Sequence, residues 1–327
     1  MSADELDTIA RFFAPLATHP AARKLKDDLA LLQTRGPHAI TTDTIVEGVH
    51  FLPDDPIGTV AKKALRVNVS DLAAKGALPF GIFLNLSWPA ARPAAQLAGF
   101  AEALGEDLKR FRSALMGGDT TSTPGPLTIS ITALGRPLRR RAPSREDAKP
   151  GDDVWVTGVI GDAYLGLCAL KGELKTLSPR DHETLAARYR VPEPPIAFAA
   201  AVARLARASM DVSDGLLIDA GRMADASGLA IRIEAAAVPH SAAAQRWLAV
   251  PENASRQQRL LAGGDDYEIL FTAEPERRAA VRRAAARAGV AVSRIGAVEK
   301  GAGLALVDAH GAPLPLGETG YRHKLGG

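Results

Sequence analysis

The stretch Met210-Asp-Val-Ser-Asp-Gly-Leu216 constrains this chain more than any other. An apolar run from Ala208 to Val212 leads into it, and a helix-like run from Leu216 to Ala226 leads out. The spacing therefore predicts Asp211 at the end of a strand and Asp214 near the start of a helix. In open α/β sheets ligands bind beyond the strand ends, and a helix N-terminus attracts anions. Two carboxylates at such a place point to a cation between them and an anionic ligand, such as a divalent metal bridging to phosphate. The plainer alternative is that Asp214 caps the helix.

Comparable acid-bearing segments recur along the first half. Residues 3–17 read as an amphipathic helix with Leu6, Ile9, Phe12 and Phe13 on one side. Lys26-Asp-Asp28 then runs into an apolar strand ending at Leu32. A strand from His38 to Thr44 carries Thr41, Thr42 and Asp43, and the loop after it carries His50. Asp55 and Pro56 open a helix that holds Asp71. A strand follows at Phe80 to Ser87, then a helix from Pro93 to about Phe111. Ser113 to Met116 forms a short strand ending in Gly117-Gly-Asp-Thr-Thr121, and Leu127 to Leu134 forms another. This order predicts an α+β layer with helices on one face of a mixed sheet. The uncovered face has to be buried, which predicts a homodimer.

The basic, proline-containing stretch Leu138 to Gly151 marks a boundary, giving domains 1–138 and 139–327. Beyond it, Asp153 to Thr157 is a strand and Gly158-Val-Ile-Gly-Asp162 a turn into a helix. That turn either offers backbone N–H groups to an anion or simply joins the two elements. Helices follow at 178–189, 196–207 and up to Ser227, with a strand at 229–233. Gly263-Gly-Asp-Asp-Tyr-Glu268 is a second Gly-Gly-acid element, placed before a strand that begins at Glu268. A helix at 275–288 and strands at 292–298 and 303–307 complete an α/β layer. Tyr321 lies in the tail.

Charge excludes some function classes. Forty Lys+Arg against 37 Asp+Glu leave a net charge of +3, and the basic runs have no interleaved aromatics, so no nucleic-acid partner is expected. Cys168 is the only cysteine; it sits in an apolar run and reads as a core residue rather than a nucleophile. Asp4, Glu5 and Asp7 have the wrong sign for a secretory leader, and no apolar run is long enough to span a bilayer. A cytoplasmic protein with no membrane partner is expected. No spacing matches a Walker loop, a dinucleotide fingerprint or a zinc site.

Asp27, Asp28, Asp43, Asp71, Asp119, Asp211 and Asp214 gain meaning when read together. Each alone is explicable as a cap or turn residue. If several converge, carboxylates ~4 Å apart repel by ~1 kcal/mol per pair even in water. They must then protonate or bind cations. An oxygen-only donor set favours Mg²⁺, which commonly bridges a few carboxylates to substrate phosphates. Phosphoryl transfer follows as the reaction class. A two-metal nuclease is the competitor, disfavoured by the missing basic track.

With these motifs assembled, the chain resembles the thiamine-monophosphate kinases of the aminoimidazole ribonucleotide synthetase superfamily. Thr41-Thr-Asp-Thr-Ile-Val-Glu-Gly-Val-His-Phe51, Asn68-Val-Ser-Asp-Leu-Ala-Ala-Lys-Gly76, Gly117-Gly-Asp-Thr-Thr121, Asp211-Val-Ser-Asp-Gly215 and Gly263-Gly-Asp-Asp-Tyr-Glu268 occur in family order. The resemblance implies a two-domain α/β (α+β) fold whose N-terminal mixed sheet pairs across a dimer, with a C-terminal α/β domain completing the site. It implies phosphorylation of thiamine phosphate by ATP, direct and in line. By motif position, Asp28, Asp43, Asp71, Asp119, Asp211 and Asp214, with Thr42, would hold several Mg²⁺ ions. Asp43, Asp119, Asp211 and Asp214 would be the catalytic acids. Thr41, Thr42, Gly118, Asp119, Arg145 and Ser213 would contact ATP, while His50, Glu268 and Tyr321 would contact thiamine phosphate.

The chain departs from the family pattern at Lys26, where glycine is usual, and at Glu146-Asp147, where Ser-Gly usually follows the arginine. Relatives acting on a formylglycinamidine ribonucleotide or on selenide, and the hydrogenase-maturation relative, are the rival enzymes. The last two would want a cysteine near one terminus, and Cys168 is in neither place. A catalytically silent nucleotide-binding module is the rival of another class.

Overall fold

Alternation along the first strand decides which side of the first sheet is covered. In the computed structural model, which describes residues 9–25, 30, 32–33, 35–317 and 319–321, β1 (Ala39–Val46) leads through a turn to α1 (Ile57–Ala74). Then come β2 (Ala77–Pro89), α2 (Ala94–Arg110), β3 (Leu115–Thr123) and β4 (Thr128–Pro137). The sheet order is β1-β4-β2-β3, with β2 and β3 parallel and the other pairs antiparallel. The parallel pair needs a crossover, which α2 supplies.

Register sorts the two faces of this sheet. Ile45, Ile129 and Leu86 stand side by side, as do Ile131 and Leu84, and all five are buried. The neighbouring positions carry hydroxyls instead. Thr132 Oγ1 donates to Thr42 Oγ1 at 3.1 Å, and Thr44 Oγ1 donates to Ser130 Oγ at 2.9 Å. One face is therefore core and the other a row of hydroxyls, with Ile40 exposed at its edge. Under the apolar face, Arg66 on α1 grips Asp107 on α2 through Nε–Oδ2 (2.6 Å) and Nη2–Oδ1 (2.9 Å), both side chains being 3% exposed.

The second unit begins with β5 (Asp153–Thr157), α3 (Asp162–Leu170), α4 (Pro179–Arg190) and α5 (Ala199–Leu205). β6 (Ser209–Val212), α6 (Leu216–Ser227), β7 (Ala230–Glu234), α7 (Ala242–Leu248) and α8 (Gln257–Ala262) follow. β8 (Glu268–Ala273), α9 (Arg278–Ala288), β9 (Val292–Glu299), β10 (Gly303–Val307) and β11 (Pro313–Leu314) complete it. The sheet runs β11-β10-β7-β9-β5-β8-β6. Every residue of β5, β6 and β8 is buried, as expected of strands covered on both faces. On one face Leu217, Ala220 and Met223 of α6 pack with Val156, Ile231 and Leu270. On the other, Trp155 and Phe271 pack with Phe198, Val281 and Ala285. Cys168 is buried with Leu165, Leu185 and Trp247, and burial pushes its thiol up to about 11.

The chain divides into two compact units, one of Met1–Leu72 with Ala77–Arg140 and the other of Ala73–Gly76 with Arg141–Gly327. The last turn of α1 thus belongs to the second unit. Ala73 and Ala74 join the Trp155–Phe271 cluster, Ser209 Oγ donates to Ala74 O, and Lys75 Nζ donates to Ser209 O and Pro143 O.

Three local expectations are corrected. The described part of the helix expected at 3–17 is a π-type turn (Ile9–Phe13) followed by a 3₁₀ turn (Ala14–Leu16); Pro15 has no N–H to continue an α-helix. Ala30 and Leu32 lie outside any strand, and Lys26, Asp27 and Asp28 fall outside the described residues. Gly117-Gly-Asp-Thr-Thr121 does not end a strand but runs within β3, because pairing with β2 continues through Leu84↔Gly118 and Asn85↔Asp119. The short helices α7 and α8 have no counterpart among the expected elements.

Candidate active site

Asp211 is the penultimate residue of β6, 8% exposed, and pairs with Ile269 on β8. The chain then turns through Ser213 and Asp214 to Gly215, which holds the N-cap position of α6. Asp214 is not the cap residue. Its carboxylate turns instead to Arg222 Nη1, 2.5 Å away. Arg222 Nη1 also meets Asp219 Oδ1 at 2.7 Å. Asp219 Oδ2 accepts the main-chain N–H groups of both Ser213 and Asp214, each at 3.1 Å. Asp219 is fully buried, and burial, reinforced by the charge of Asp214, lifts its carboxyl to about 6.

The second Gly-Gly-acid element packs directly on this turn. Asp265 N donates to Ser213 O at 2.7 Å and Tyr267 N to Val212 O at 2.8 Å. Asp265 and Tyr267 adopt φ of +70° and +52°, a left-handed conformation that costs non-glycine residues energy and clusters at functional sites. The tail joins the same place, with Ile218 N donating to Thr319 O and Tyr321 N to Asp214 O, each at 2.9 Å. The Tyr321 side chain is 48% exposed.

Behind the turns lies a set of buried acids. Asp266 accepts the N–H groups of Gly161 (2.9 Å) and Ala163 (3.4 Å) at the start of α3. Glu268 receives Thr157 Oγ1 at 2.7 Å and Arg188 Nη2 at 3.2 Å. Asp162 accepts from Ser241 Oγ at 2.6 Å. Burial raises the carboxyls of all three above their ordinary values, and it raises Asp266 most clearly. The turn Gly158–Asp162 does offer an N–H group, and its acceptor is the protein's own Asp266 carboxyl.

In the first unit Thr41 Oγ1 donates to Asp71 Oδ2 on α1. Asp43, two residues on along β1, shares that face with Ile131. His50 Nδ1 accepts Val46 N at 3.0 Å and its carbonyl accepts Lys63 Nζ at 2.9 Å; a neutral ring so held carries its proton on Nε2. Asp119 pairs with Asn85 and so lies on the hydroxyl-bearing face with Thr42. A Cβ on Gly118 would stand 1.8 Å from Leu84 O, at a φ of +152°, so any side chain there would force the backbones apart.

β1 and β3 are opposite edges of the sheet. Three strand spacings separate them, about 14 Å, so Asp43 and Asp119 do not share an ion within one chain. Among the described residues no group of three or more His, Cys, Asp or Glu side chains stands together as a metal site. The donor set is nonetheless all oxygen, and Mg²⁺ ordinarily takes one or two carboxylates plus phosphate oxygens and water. The residues present fit that ion. Arg145 is exposed, and the neighbouring Asp147 is taken by Arg141 Nη2 (2.5 Å) and Ser144 N (2.9 Å) rather than by Arg145.

The sequence profile of the AIR synthase related protein, N-terminal domain, matches residues 26–136, and that of its C-terminal domain matches 149–309. A thiamine-monophosphate kinase of Caulobacter vibrioides is 44% identical over 304 residues, 92% of this chain and 85% of the relative. The chain belongs to the thiamine-monophosphate kinase family. The crystal structure of the family member from Stenotrophomonas maltophilia matches with a TM-score of 0.79 at 36% identity, covering 89% of this chain and 91% of that one. AaThiL complexed with AMPPCP and TMP matches with a TM-score of 0.75 at 30% identity, covering 88% and 90%.

Four residues of the candidate site carry no role in the sequence expectations: Thr157, Arg188, Asp219 and Asp266. Asp219 leaves a signal, an acid in the first turn of the helix after Asp214, where carboxylates reach back to free N–H groups. Thr157, Arg188 and Asp266 leave none, since their partners are 80 or more residues away.

Proposed function

We propose that the chain transfers the γ-phosphoryl group of ATP to thiamine phosphate, giving thiamine diphosphate and ADP. A phosphate oxygen of thiamine phosphate attacks the γ-phosphorus in line, and the bond to the β–γ bridging oxygen breaks as ADP leaves. Kinship with a structure complexed with AMPPCP and TMP carries this assignment, and the acid-bearing turns after β6 and before β8 support it.

Catalysis of this kind is positioning plus charge neutralisation. Bound at the carboxylates, Mg²⁺ would neutralise charge on the phosphate oxygens. Asp43, Asp71, Asp119, Asp211, Asp214 and Thr42 are the proposed ligands, joined by Asp28. Thr41, Gly118, Arg145 and Ser213 contact the nucleotide. His50 and Tyr321 meet thiamine phosphate, the tyrosine by stacking on a cationic ring; Glu268 lines that end of the site.

Residues 1–138 then form the nucleotide, metal and dimerisation domain, and 139–327 the domain that completes the site. The same proposal takes the hydroxyl-bearing face of the first sheet as the interface of a homodimer. Thr42 and Asp119 stand on that face, so a second copy laid against it would meet both. Action in the cytoplasm is part of the same proposal; no helix among the described residues is long and apolar enough to cross a membrane.

A coupled ADP-release assay with Mg-ATP and thiamine phosphate, with chromatography of the product, tests the proposal. Thiamine diphosphate that disappears on adding EDTA is the expected result. No turnover in folded protein would overturn it.

A further inference from the structure

The N-terminus of α6 ought to bind an anion directly, because its first N–H groups lack helical partners. In this chain the two amides just ahead of the N-cap Gly215 are already taken. Asp219 Oδ2 accepts the N–H groups of Ser213 and Asp214, both at 3.1 Å. A phosphate therefore cannot be cradled by those two amides. The carboxylate that the turn leaves partly exposed is that of Asp214.

Asp219 is also the node on which the other attachments of Asp214 meet. Its Oδ1 is 2.7 Å from Arg222 Nη1, and the same nitrogen holds Asp214 Oδ2 at 2.5 Å. The main chain of Asp214 is fixed a second time, its carbonyl accepting Tyr321 N at 2.9 Å. Both oxygens of Asp219 are used, one on the backbone of the turn and one on the side chain that aims Asp214. A simple helix cap needs only the first of these. Full burial of a charged group on α6 is costly unless every partner is in place.

We infer that Asp219 is a positioning residue for the metal–nucleotide complex. It acts through two amides and Arg222 to hold Asp214 in the orientation that accepts Mg²⁺. The inference rests on the phosphotransfer assignment above and adds to it a residue that touches neither substrate nor metal.

The test is calorimetric titration of AMPPCP at a series of Mg²⁺ concentrations, with thiamine phosphate titrated separately. The wild type is compared with Asp219→Asn and Arg222→Met, and melting temperatures are measured alongside. Asn keeps the volume of Asp219 but turns an amide toward Arg222. Met keeps the stem of Arg222 and leaves the two amide contacts of Asp219 intact. Loss of an outer partner of a ligand weakens metal binding about 10- to 100-fold, so the Mg²⁺ requirement for AMPPCP binding should rise by that order in D219N. It should rise in R222M as well, with thiamine phosphate affinity unchanged in both.

A folded D219N or R222M with the wild-type Mg²⁺ requirement would overturn the inference, whatever its melting temperature. If D219N does not fold, R222M alone decides. Failure of the wild type to bind AMPPCP at any Mg²⁺ concentration would overturn the assignment on which the inference rests.

Discussion

Thr157 Oγ1 donates to Glu268 Oε2 at 2.7 Å while accepting the main-chain N–H of Ile269 at 2.8 Å. One hydroxyl at the end of β5 thus satisfies both a buried carboxylate and a strand amide at the start of β8.

Thr157→Val removes donor and acceptor together and leaves two buried polar groups short of a partner. An unsatisfied buried group costs about 1–3 kcal/mol, so the urea midpoint of T157V should fall by a corresponding amount. A midpoint equal to the wild type's would contradict this pairing.

Asp266 gives the folded protein a sloping response to pH. Burial, more than any other cause, holds its carboxyl well above the ordinary value. The unfolded chain gives up this proton near pH ~4, while the folded chain keeps it to higher pH. Above pH ~4 the folded state binds more protons, so stability declines with rising pH until the raised folded value is passed. Asp266→Asn deletes that contribution. Its melting temperature, measured from about pH 5 to about pH 8, should therefore gain on the wild type as pH rises. Parallel curves would show that Asp266 is not the group responsible.

Gly118 has no room for a methyl group beside Leu84 O. Gly118→Ala should part β3 from β2, costing about 1–3 kcal/mol in backbone strain alone, and should weaken AMPPCP binding along with thermal stability. Retention of both properties would remove Gly118 from the nucleotide contacts.

Tyr321 is anchored by its main chain and exposes its ring. Tyr321→Ala keeps the amide that binds Asp214 and deletes the aromatic face. Thiamine phosphate binding should weaken about 5- to 30-fold, the range of a cation–π contact of 1–2 kcal/mol, with ATP binding nearly unchanged. Equal losses for both ligands would dismiss stacking.

What can be read from the sequence is local. Asp211 at a strand end, Asp214 before a helix, and Glu268 opening a strand all follow from where apolar periodicity changes. So do the central strands of the second sheet, whose uninterrupted apolar runs mark burial on both faces. Partners are harder to see. Nothing near Asp266 points to Gly161, 105 residues away, and nothing near Glu268 points to Arg188. The pair Gly117-Gly118 carries the composition of a turn, and only pairing with β2 keeps it extended. Pro15 is visible as a breaker, yet the hydrophobic spacing around it argues for a helix, and the missing N–H wins.

The four residues Ala73–Gly76 have a consequence for modularity. They close the Trp155–Phe271 cluster and anchor Ser209 just before Asp211, though they are made some 65 residues before the rest of that unit. The two units therefore cannot be exchanged as separate cassettes by one cut in the basic linker. A fragment starting at Arg141 would come away with a hole where α1 ends, beneath the strand that carries the acids.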